Sequence, residues 1–358
     1  MKRPPRSFDP MRVIAAAMCV LALAGCASFG PQTITRDRFD YVTAISDSLK
    51  SQMLLNLVKI RYMDPPVFMD VATVISSYAL QNEVAIGGQF APPGRGDTFG
   101  TANYTGTYAD RPTITYQPLN GDKFARSLMA PIPIPGILYL IQSGYPADLV
   151  LRICVNTING LENEVGAFTS SRPGDPKFRE LMTALREAQR AEGAGFRIRQ
   201  RETPVVVMFT SKNAGAAATR RIRKLLGLNP TELEFTIVYG AQAENDREIA
   251  VLTRSILQVT ANFAAYIDVP ARDVAERRVY GVERSAEQQQ LFPPLLAVRN
   301  GAEAPPDAYV SIRYRGQSFW IDDRDLESKG TFAFLMLMFT LTEGAPAQPA
   351  PIVTVPAR

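Results

Sequence analysis

The chain has 358 residues, of which 46% are hydrophobic and 21% charged, so it can bury a sizeable core. It contains no histidine, which excludes catalysis by Ser-His-Asp or Cys-His arrangements, histidine-ligated metals and histidine pH switches. Its three cysteines are too few for a disulfide framework. The formal net charge of +4 comes from 39 basic and 35 acidic residues, and four of the basic residues precede residue 13. This near balance predicts no nucleic-acid partner.

The first 26 residues have the composition of a secretory leader. A basic flank precedes the apolar run Val13 to Ala24, which is too short to cross a bilayer because a helical span needs about 20 residues. The run ends in Leu23-Ala24-Gly25-Cys26, and this ending resembles the lipobox of bacterial lipoproteins. The resemblance implies that the Cys26 thiol receives diacylglycerol and that a signal peptidase removes residues 1–25. It also implies that the new amino terminus is acylated, for example with palmitate.

The residues after Cys26 bear on where such a lipoprotein goes. In that class an aspartate after the lipidated cysteine retains the protein in the inner membrane, whereas here Ala27 and Ser28 follow. The resemblance therefore implies an outer-membrane lipid anchor facing the periplasm, with the inner membrane less favoured. Two or three acyl chains hold a protein stably, because a single chain gives only marginal binding.

After a short lipidated tether, residues 26–36, the spacing predicts an amphipathic helix from Asp37 to about Arg61. Asp37 is the expected N-cap, and Asp64-Pro65-Pro66 follows the helix and ends it. The apolar residues recur at three- and four-residue steps: Phe39, Val42, Ile45, Leu49, Met53, Leu57 and Ile60.

Two long alternating stretches, Val74 to Phe90 and Phe99 to Tyr116, predict one extended β-hairpin. One face is rich in threonine, and the other carries the residues expected to meet a membrane or a partner: Tyr78, Leu80, Val84, Ile86, Tyr104 and Tyr108. Two interpretations stay open. The apolar face packs on helices of the same chain, or each subunit of a ring contributes the hairpin to an outer-membrane pore.

The middle of the chain predicts further helices and one ambiguous segment. Helices are expected at Asp122 to Met129 and at Lys177 to Ala191. Residues 149–158 fit a helix, because Pro146 and Gly160 suit its two ends, but their β-branched content fits a strand.

Residues 195–267 predict a βαβα core with a parallel strand pair crossed by a helix. Its expected elements are the strand Val205 to Phe209, the helix Ala214 to Leu226, the strand Leu233 to Tyr239 and the helix Glu248 to Ile267.

The last ordered part predicts a β-hairpin and an apolar helix. Strands Tyr309 to Tyr314 and Gln317 to Ile321 flank the turn Arg315-Gly316, and Thr331 to Thr342 is expected to be a buried helix. Residues 344–358 are rich in proline and alanine and are expected to be disordered.

One cysteine, one acidic cluster and one basic cluster are candidate sites. Cys154 lies in an apolar context and is expected to be a buried, inert thiol. The acids at 322–327 indicate helix capping and surface charge rather than a metal site. A basic group on one helix is either a solvated face or a patch for an anionic partner: Arg220, Arg221, Arg223 and Lys224.

Together these patterns predict a mixed α/β (α+β) chain in two parts, residues 37–120 with the helix and hairpin, and residues 121–343 with the α/β domain. No catalytic motif, metal site or cofactor site is recognisable, which favours a non-enzymatic role. The leading hypothesis is a membrane-anchored lipoprotein with a structural or protein-interaction role in envelope assembly, its partners being the bilayer through Cys26 and an envelope protein or a second copy. The alternatives are a subunit of an oligomeric outer-membrane pore built from the 74–116 hairpin, and a periplasmic hydrolase using paired carboxylates.

Overall fold

A computed structural model of the chain describes residues 29–75, 78–89, 99–110, 113–119, 122–166, 172–191, 197–200, 205–208, 217–281 and 293–342. The fold is mixed α/β, as predicted. The predicted signal peptide, Cys26 and the tail 344–358 lie outside the described residues. Two compact units divide the chain, residues 1–49 and residues 50–358. The hairpin and the α/β elements both lie in the second unit.

The described helices are α1 Phe29–Arg61, α2 Asp122–Met129, α3 Ile134–Gln142, α4 Ala147–Cys154, α5 Pro176–Arg190, α6 Ala217–Leu226, α7 Ile256–Ala265, α8 Ala271–Ala275 and α9 Leu326–Thr342. The described strands are β1 Phe68–Ile75, β2 Tyr78–Gln89, β3 Phe99–Asp110, β4 Thr113–Leu119, β5 Val155–Ile158, β6 Leu161–Glu162, β7 Arg197–Gln200, β8 Val205–Met208, β9 Glu234–Tyr239, β10 Glu248–Thr253, β11 Arg299–Gly301, β12 Ala308–Tyr314 and β13 Gln317–Asp322. Among the helices of these ranges, none combines the length and the hydropathy that a membrane span requires.

Helix α1 begins at Phe29, so the predicted tether is helical from that residue and Asp37 is not its N-cap. Pro31 stands in the first turn, where a missing N–H costs nothing because that N–H has no partner within a helix. In the first unit, Phe39 and Val42 are exposed, which corrects the prediction of one buried stripe along the whole helix. In the second unit, Leu54, Leu57 and Val58 are fully buried.

The predicted hairpin forms and is longer than expected. Strand β1 pairs with β4 and β2 pairs with β3, both antiparallel. The last pair of the first ladder is Ile75 with Thr113, and the first pair of the second is Tyr78 with Asp110. Two residues lie between these pairs on each strand, and the register that β1 and β4 have from Thr73 onward is the same as that of β2 and β3. We call β1 to β4 the ribbon, β1 with β4 its root, and β2 with β3 the distal ribbon.

A six-stranded sheet, in the order β6-β5-β10-β9-β8-β7, forms the centre of the second unit. Strands β9 and β10 are parallel, whereas β8 and β9 are antiparallel, so the predicted parallel pair crossed by α6 is wrong. The ambiguous residues 149–158 contain both predicted structures, because α4 ends at Cys154 and β5 begins at Val155.

The predicted helix over residues 248–267 is a strand followed by a helix. Strand β10 has buried residues on both of its faces, and such a strand reads as a continuous apolar run that also fits a helix. Helix α7 begins at Ile256 because Ser255 and Gln258 form a capping box, each side chain bonding the other residue's backbone N–H.

The C-terminal part forms as predicted, with one earlier helix start. Arg315 and Gly316 have φ values of 49° and 81°, as a two-residue type I′ turn requires. Helix α9 begins at Leu326 because the Asp325 carboxylate accepts from the N–H of Ser328 at 3.0 Å and from its hydroxyl at 2.7 Å. Its aromatic residues Phe332 and Phe334 are buried, which confirms a core helix.

Candidate interaction site: the ribbon

The root of the ribbon is fastened to the core by Phe68, which is only 5% exposed. Its ring centroid lies 4.9 Å from that of Phe339 on α9 and 5.7 Å from that of Phe124 on α2. Leu119, the β4 partner of Phe68, also packs against the core. One face of the root is therefore held where the ribbon leaves the second unit.

Two side-chain amides of α1 hold the outer edge of β1. Asn56 donates to the carbonyl of Val67 at 2.8 Å and accepts from its N–H at 3.0 Å. Gln52, one turn earlier, makes the same pair of bonds with Met69, both at 2.9 Å. Each amide thus occupies the place of a neighbouring strand's peptide group. The sequence pattern did not predict this pair. Two amides four residues apart lie on the same side of a helix, which is the signal that could have identified them.

A polar cluster fastens the segment between α1 and β1 to the C-terminal hairpin. The Asp64 carboxylate accepts from the hydroxyl of Tyr314 and from the guanidinium of Arg315, the latter at 2.9 Å. Arg315 also lies over the ring of Tyr62, whose hydroxyl donates to Asp273 at 2.6 Å. Burial, and then this hydrogen bond to a carboxylate, raise the pKa of Tyr62 well above its ordinary value. The hydroxyl therefore stays protonated and keeps donating.

Beyond this attachment, strand β4 of the root is exposed on both faces. Thr113 to Pro118 are six consecutive exposed residues, although side chains alternate between the two faces of a strand. Met69, Ile114 and Tyr116 are 41%, 40% and 53% exposed. The interpretation in which the apolar face packs on helices of the same chain is therefore wrong for Ile114 and Tyr116.

The distal ribbon brings the predicted contact residues onto one face. Leu80 pairs with Tyr108, and Val84 pairs with Tyr104. Paired residues of an antiparallel ladder share a face, and so do residues two apart, so Tyr78 and Ile86 belong to the same face. On the opposite face, the described side chains of Glu83, Ala85, Asn103, Thr105 and Thr107 are exposed. Only the backbone is described for the six predicted contact residues.

The backbone bonds of Met69 show which groups point away from the ladder. Both its N–H and its carbonyl go to Gln52 on α1, so Met69 and its partner Pro118 are a pair without hydrogen bonds between their strands. On β4, which has no bulge, residues of the same parity as Pro118 therefore direct their backbone groups to the outer edge. Because the register from Thr73 onward is the same in both ladders, we infer that β3 has the same parity, to which Gly106 belongs.

Replacing Gln52 and Asn56 together by leucine is expected to release the outer edge of β1. Four hydrogen bonds are lost, at about 1 kcal/mol each, and hydrogen exchange at the amides of Val67 and Met69 should accelerate by about tenfold or more. Lys59→Leu, on the same helix, is the control and should leave both rates unchanged. Equal rates in the double variant and in wild type would contradict the assignment.

The four basic residues predicted as one cluster on α6 have different environments. Arg223 is buried, and its guanidinium donates to the carbonyls of Pro230 and Glu232 at 2.7 and 2.6 Å. Arg223 is thus a structural residue, which corrects its assignment to a patch for an anionic partner. Arg221 forms an ion pair with Glu180 at 2.7 Å, while Arg220 and Lys224 are exposed.

The other candidate residues have structural roles in the described part of the chain. Burial raises the pKa of the Cys154 thiol to about 12, in keeping with an inert cysteine. Asp323 forms an ion pair with Lys329 at 2.6 Å, and Asp325 caps α9, as expected for that acidic cluster. Within the described ranges, no group of three or more metal-ligating side chains is brought together.

Comparison of the chain with family models, with curated proteins and with solved structures finds no match.

Proposed function

We propose that this protein is a membrane-anchored, periplasm-facing lipoprotein whose role in the cell envelope is structural, and that the ribbon is its contact element. The lipobox ending at Cys26 supports the anchor, and the absence of an aspartate after it supports the outer membrane. The observation that carries the contact role is the exposure of β4 from Thr113 to Pro118, together with the exposed apolar side chains of Met69, Ile114 and Tyr116 on one face of the root.

The physical argument is that such a ribbon is incomplete by itself. A two-stranded hairpin is marginally stable in water and needs a further strand or a packed face. The ribbon is held at Phe68 and by the amides of Gln52 and Asn56, and its apolar face continues past this attachment. Exposed apolar surface of this kind marks an interaction site.

The anchor is tested by growing cells with an alkyne-tagged fatty acid. Wild type should carry the tag in the membrane fraction, and Cys26→Ala should lose both the tag and the membrane location. Cys154→Ala is the matched control, because that thiol is buried and should leave labelling unchanged. A labelled Cys26→Ala protein would contradict the anchor.

The contact role is tested by a photo-cross-linking amino acid at position 116 in living cells. Tyr239 is the control position, because it is as exposed as Tyr116 but lies on β9, away from the ribbon in the sequence. A discrete adduct from position 116 and none from position 239 is the expected result. Identical patterns from the two positions would count against the ribbon.

A pore is the second candidate function, and the length of the distal ribbon favours it. Strands β2 and β3 have twelve residues each, and a membrane strand needs about 9–11. Their alternation between apolar residues and glutamine, glycine or threonine is the pattern of membrane strands with one lipid face and one water face. Purified protein added to planar bilayers should then give discrete conductance steps, which Leu80→Asp and Val84→Asp should abolish.

A further inference from the structure

We infer that the distal ribbon pairs with the distal ribbons of further copies of this chain, with β2 of one copy beside β3 of the next, to close a ring. The inference rests on the proposed function, because it names the ribbon's partner and takes all copies to be anchored on the same membrane.

The first step is that the root carries devices that stop another strand from adding to it. On β1, the amides of Gln52 and Asn56 occupy the outward backbone groups of Met69 and Val67. The register also shifts between Val71 and Thr73, which is a bulge. On β4, Pro118 has no N–H to offer at the outer edge. Side-chain covers, bulges and edge prolines are the means by which proteins prevent edge-to-edge pairing.

The second step is that the described backbone of the distal ribbon contains neither a bulge nor a proline. Strands β2 and β3 pair over twelve residues without a register shift. Their sequences contain no proline, lysine or arginine, and the nearest prolines, Pro92 and Pro112, fall outside both strands. Among the strands that the structure describes, β2 pairs with β3 alone. The charged residues of these strands are Glu83 and Asp110. Two long edges without a bulge, a proline or a basic residue are templates for a further strand.

The third step is that a second copy suits these edges better than a single strand of another protein. One added strand satisfies one edge and leaves the other open, whereas head-to-tail addition of copies satisfies both edges of every copy once the ring closes. Strand β2 runs away from the root and β3 returns to it. A β2 beside the next copy's β3 is therefore antiparallel when all copies point the same way.

The fourth step is that only this pairing places the apolar faces of neighbouring copies on the same side of the sheet. The outward backbone groups of both edges belong to residues on the apolar face, the face of Ile114 and Tyr116. Joining β2 to β3 of the next copy therefore continues the apolar face around the ring, in any register that differs by two residues. If β2 of one copy paired antiparallel with β2 of another, the two copies would point in opposite directions. If the two strands were parallel, the apolar face of one copy would lie on the opposite side of the sheet from that of its neighbour.

Cysteine cross-linking tests which strands meet. Chains carrying only Ala85→Cys on β2 are co-expressed with chains carrying Asn103→Cys, Thr105→Cys or Thr107→Cys on β3, all at described exposed positions. Mixed pairs should form a disulfide in at least one combination, and Ala85→Cys chains alone should form none. The chain with Glu83→Cys and Thr105→Cys together is the control, because this directly paired position should close within one chain. Cross-links between two Ala85→Cys chains would overturn the inference.

A proline at the outer edge tests whether the edge itself is used. Gly106 pairs with Asn82, and the parity inferred from Met69 directs its N–H outward. On this assignment Gly106→Pro removes a bond to the next copy and none within the ribbon. Native protein extracted in mild detergent should have several times the mass of one chain, and Gly106→Pro should fall to that of one chain. Gly106→Ala should keep the wild-type mass. Unchanged Trp320 fluorescence and an unreactive Cys154 show that the variant is folded.

The outcomes separate this inference from the proposed function. A wild-type protein with the mass of one chain, or a Gly106→Pro variant that keeps the wild-type mass, would refute the ring and leave the lipid anchor untouched. A Cys26→Ala protein that still carries the fatty-acid tag would refute the anchor, while the cross-linking result would still decide whether copies pair.

Discussion

Replacing Arg254 by methionine is expected to lower the free energy of unfolding by about 3–5 kcal/mol, because it removes a buried donor from several acceptors. Arg254 is 2% exposed. Its guanidinium donates to the side-chain oxygen of Asn156 at 2.9 Å and to the carbonyl of Arg152 at 3.1 Å. It also donates to the carbonyl of Glu164. Without it these oxygens stay buried and lose a donor.

Arg254 joins parts of the chain that are distant in sequence. It follows β10 directly, and its acceptors lie on α4, on β5 and after β6. Burial lowers its pKa to about 10, so at neutral pH it remains charged and donates from all three of its nitrogens. Lysine cannot replace it, because one ammonium group does not reach all the acceptors that surround the planar guanidinium group. Arg254→Lys should therefore recover less than half of the loss.

Urea unfolding followed by fluorescence of Trp320, the chain's single tryptophan, measures this effect. Arg247→Met is the matched control. Arg247 pairs with Glu232 at 2.6 Å, but its side chain is exposed, so its loss should change stability by less than about 1 kcal/mol. Equal free energies of unfolding for Arg254→Met and Arg247→Met would show that the buried guanidinium does not stabilise the fold.

Replacing Phe68 by alanine is expected to cost about 3–5 kcal/mol and to loosen the root of the ribbon, because the ring is buried between Phe339 and Phe124. Met69→Ala is the matched control, since the neighbouring side chain is 41% exposed and lies on the opposite face of the same strand. It should cost less than about 1 kcal/mol.

Limited proteolysis gives a second measurement for this variant. Release of the root should expose the ribbon to cleavage in Phe68→Ala at urea concentrations where Trp320 fluorescence still reports a folded core. If cleavage within the ribbon and loss of the Trp320 signal occurred together, the ribbon would be an integral part of the core rather than an element attached at Phe68.

Much of the secondary structure could be predicted because its signals are local. The ribbon follows from period-two alternation, the turn at Arg315-Gly316 from residues that accept positive φ, and α2 and α5 from helical spacing with suitable ends. The error over residues 248–267 has a physical cause. A strand buried on both faces and a buried helix present similar apolar runs, and only the capping box at Ser255 marks the boundary.

Contacts between distant residues decided the rest of the candidate site. Asn56 and Gln52 reach backbone groups 11 and 17 residues away, and Asp64 meets Arg315 across 251 residues. No local pattern specifies such partners. The same holds for Arg223, which has the composition of a surface patch residue but is buried because the carbonyls of Pro230 and Glu232 fold back onto it.

The sequence by itself predicted most of the elements, a leader that resembles a lipoprotein signal, and the apolar and polar faces of the ribbon. These depend on residue type and spacing alone, and a period of two assigns each residue to a face before any folding is known. Only the tertiary structure decided that the ribbon is fastened at its root and uncovered beyond it. Exposure and edge protection depend on what packs against a strand. Here three helices that are far apart in the sequence, α1, α2 and α9, contact the root.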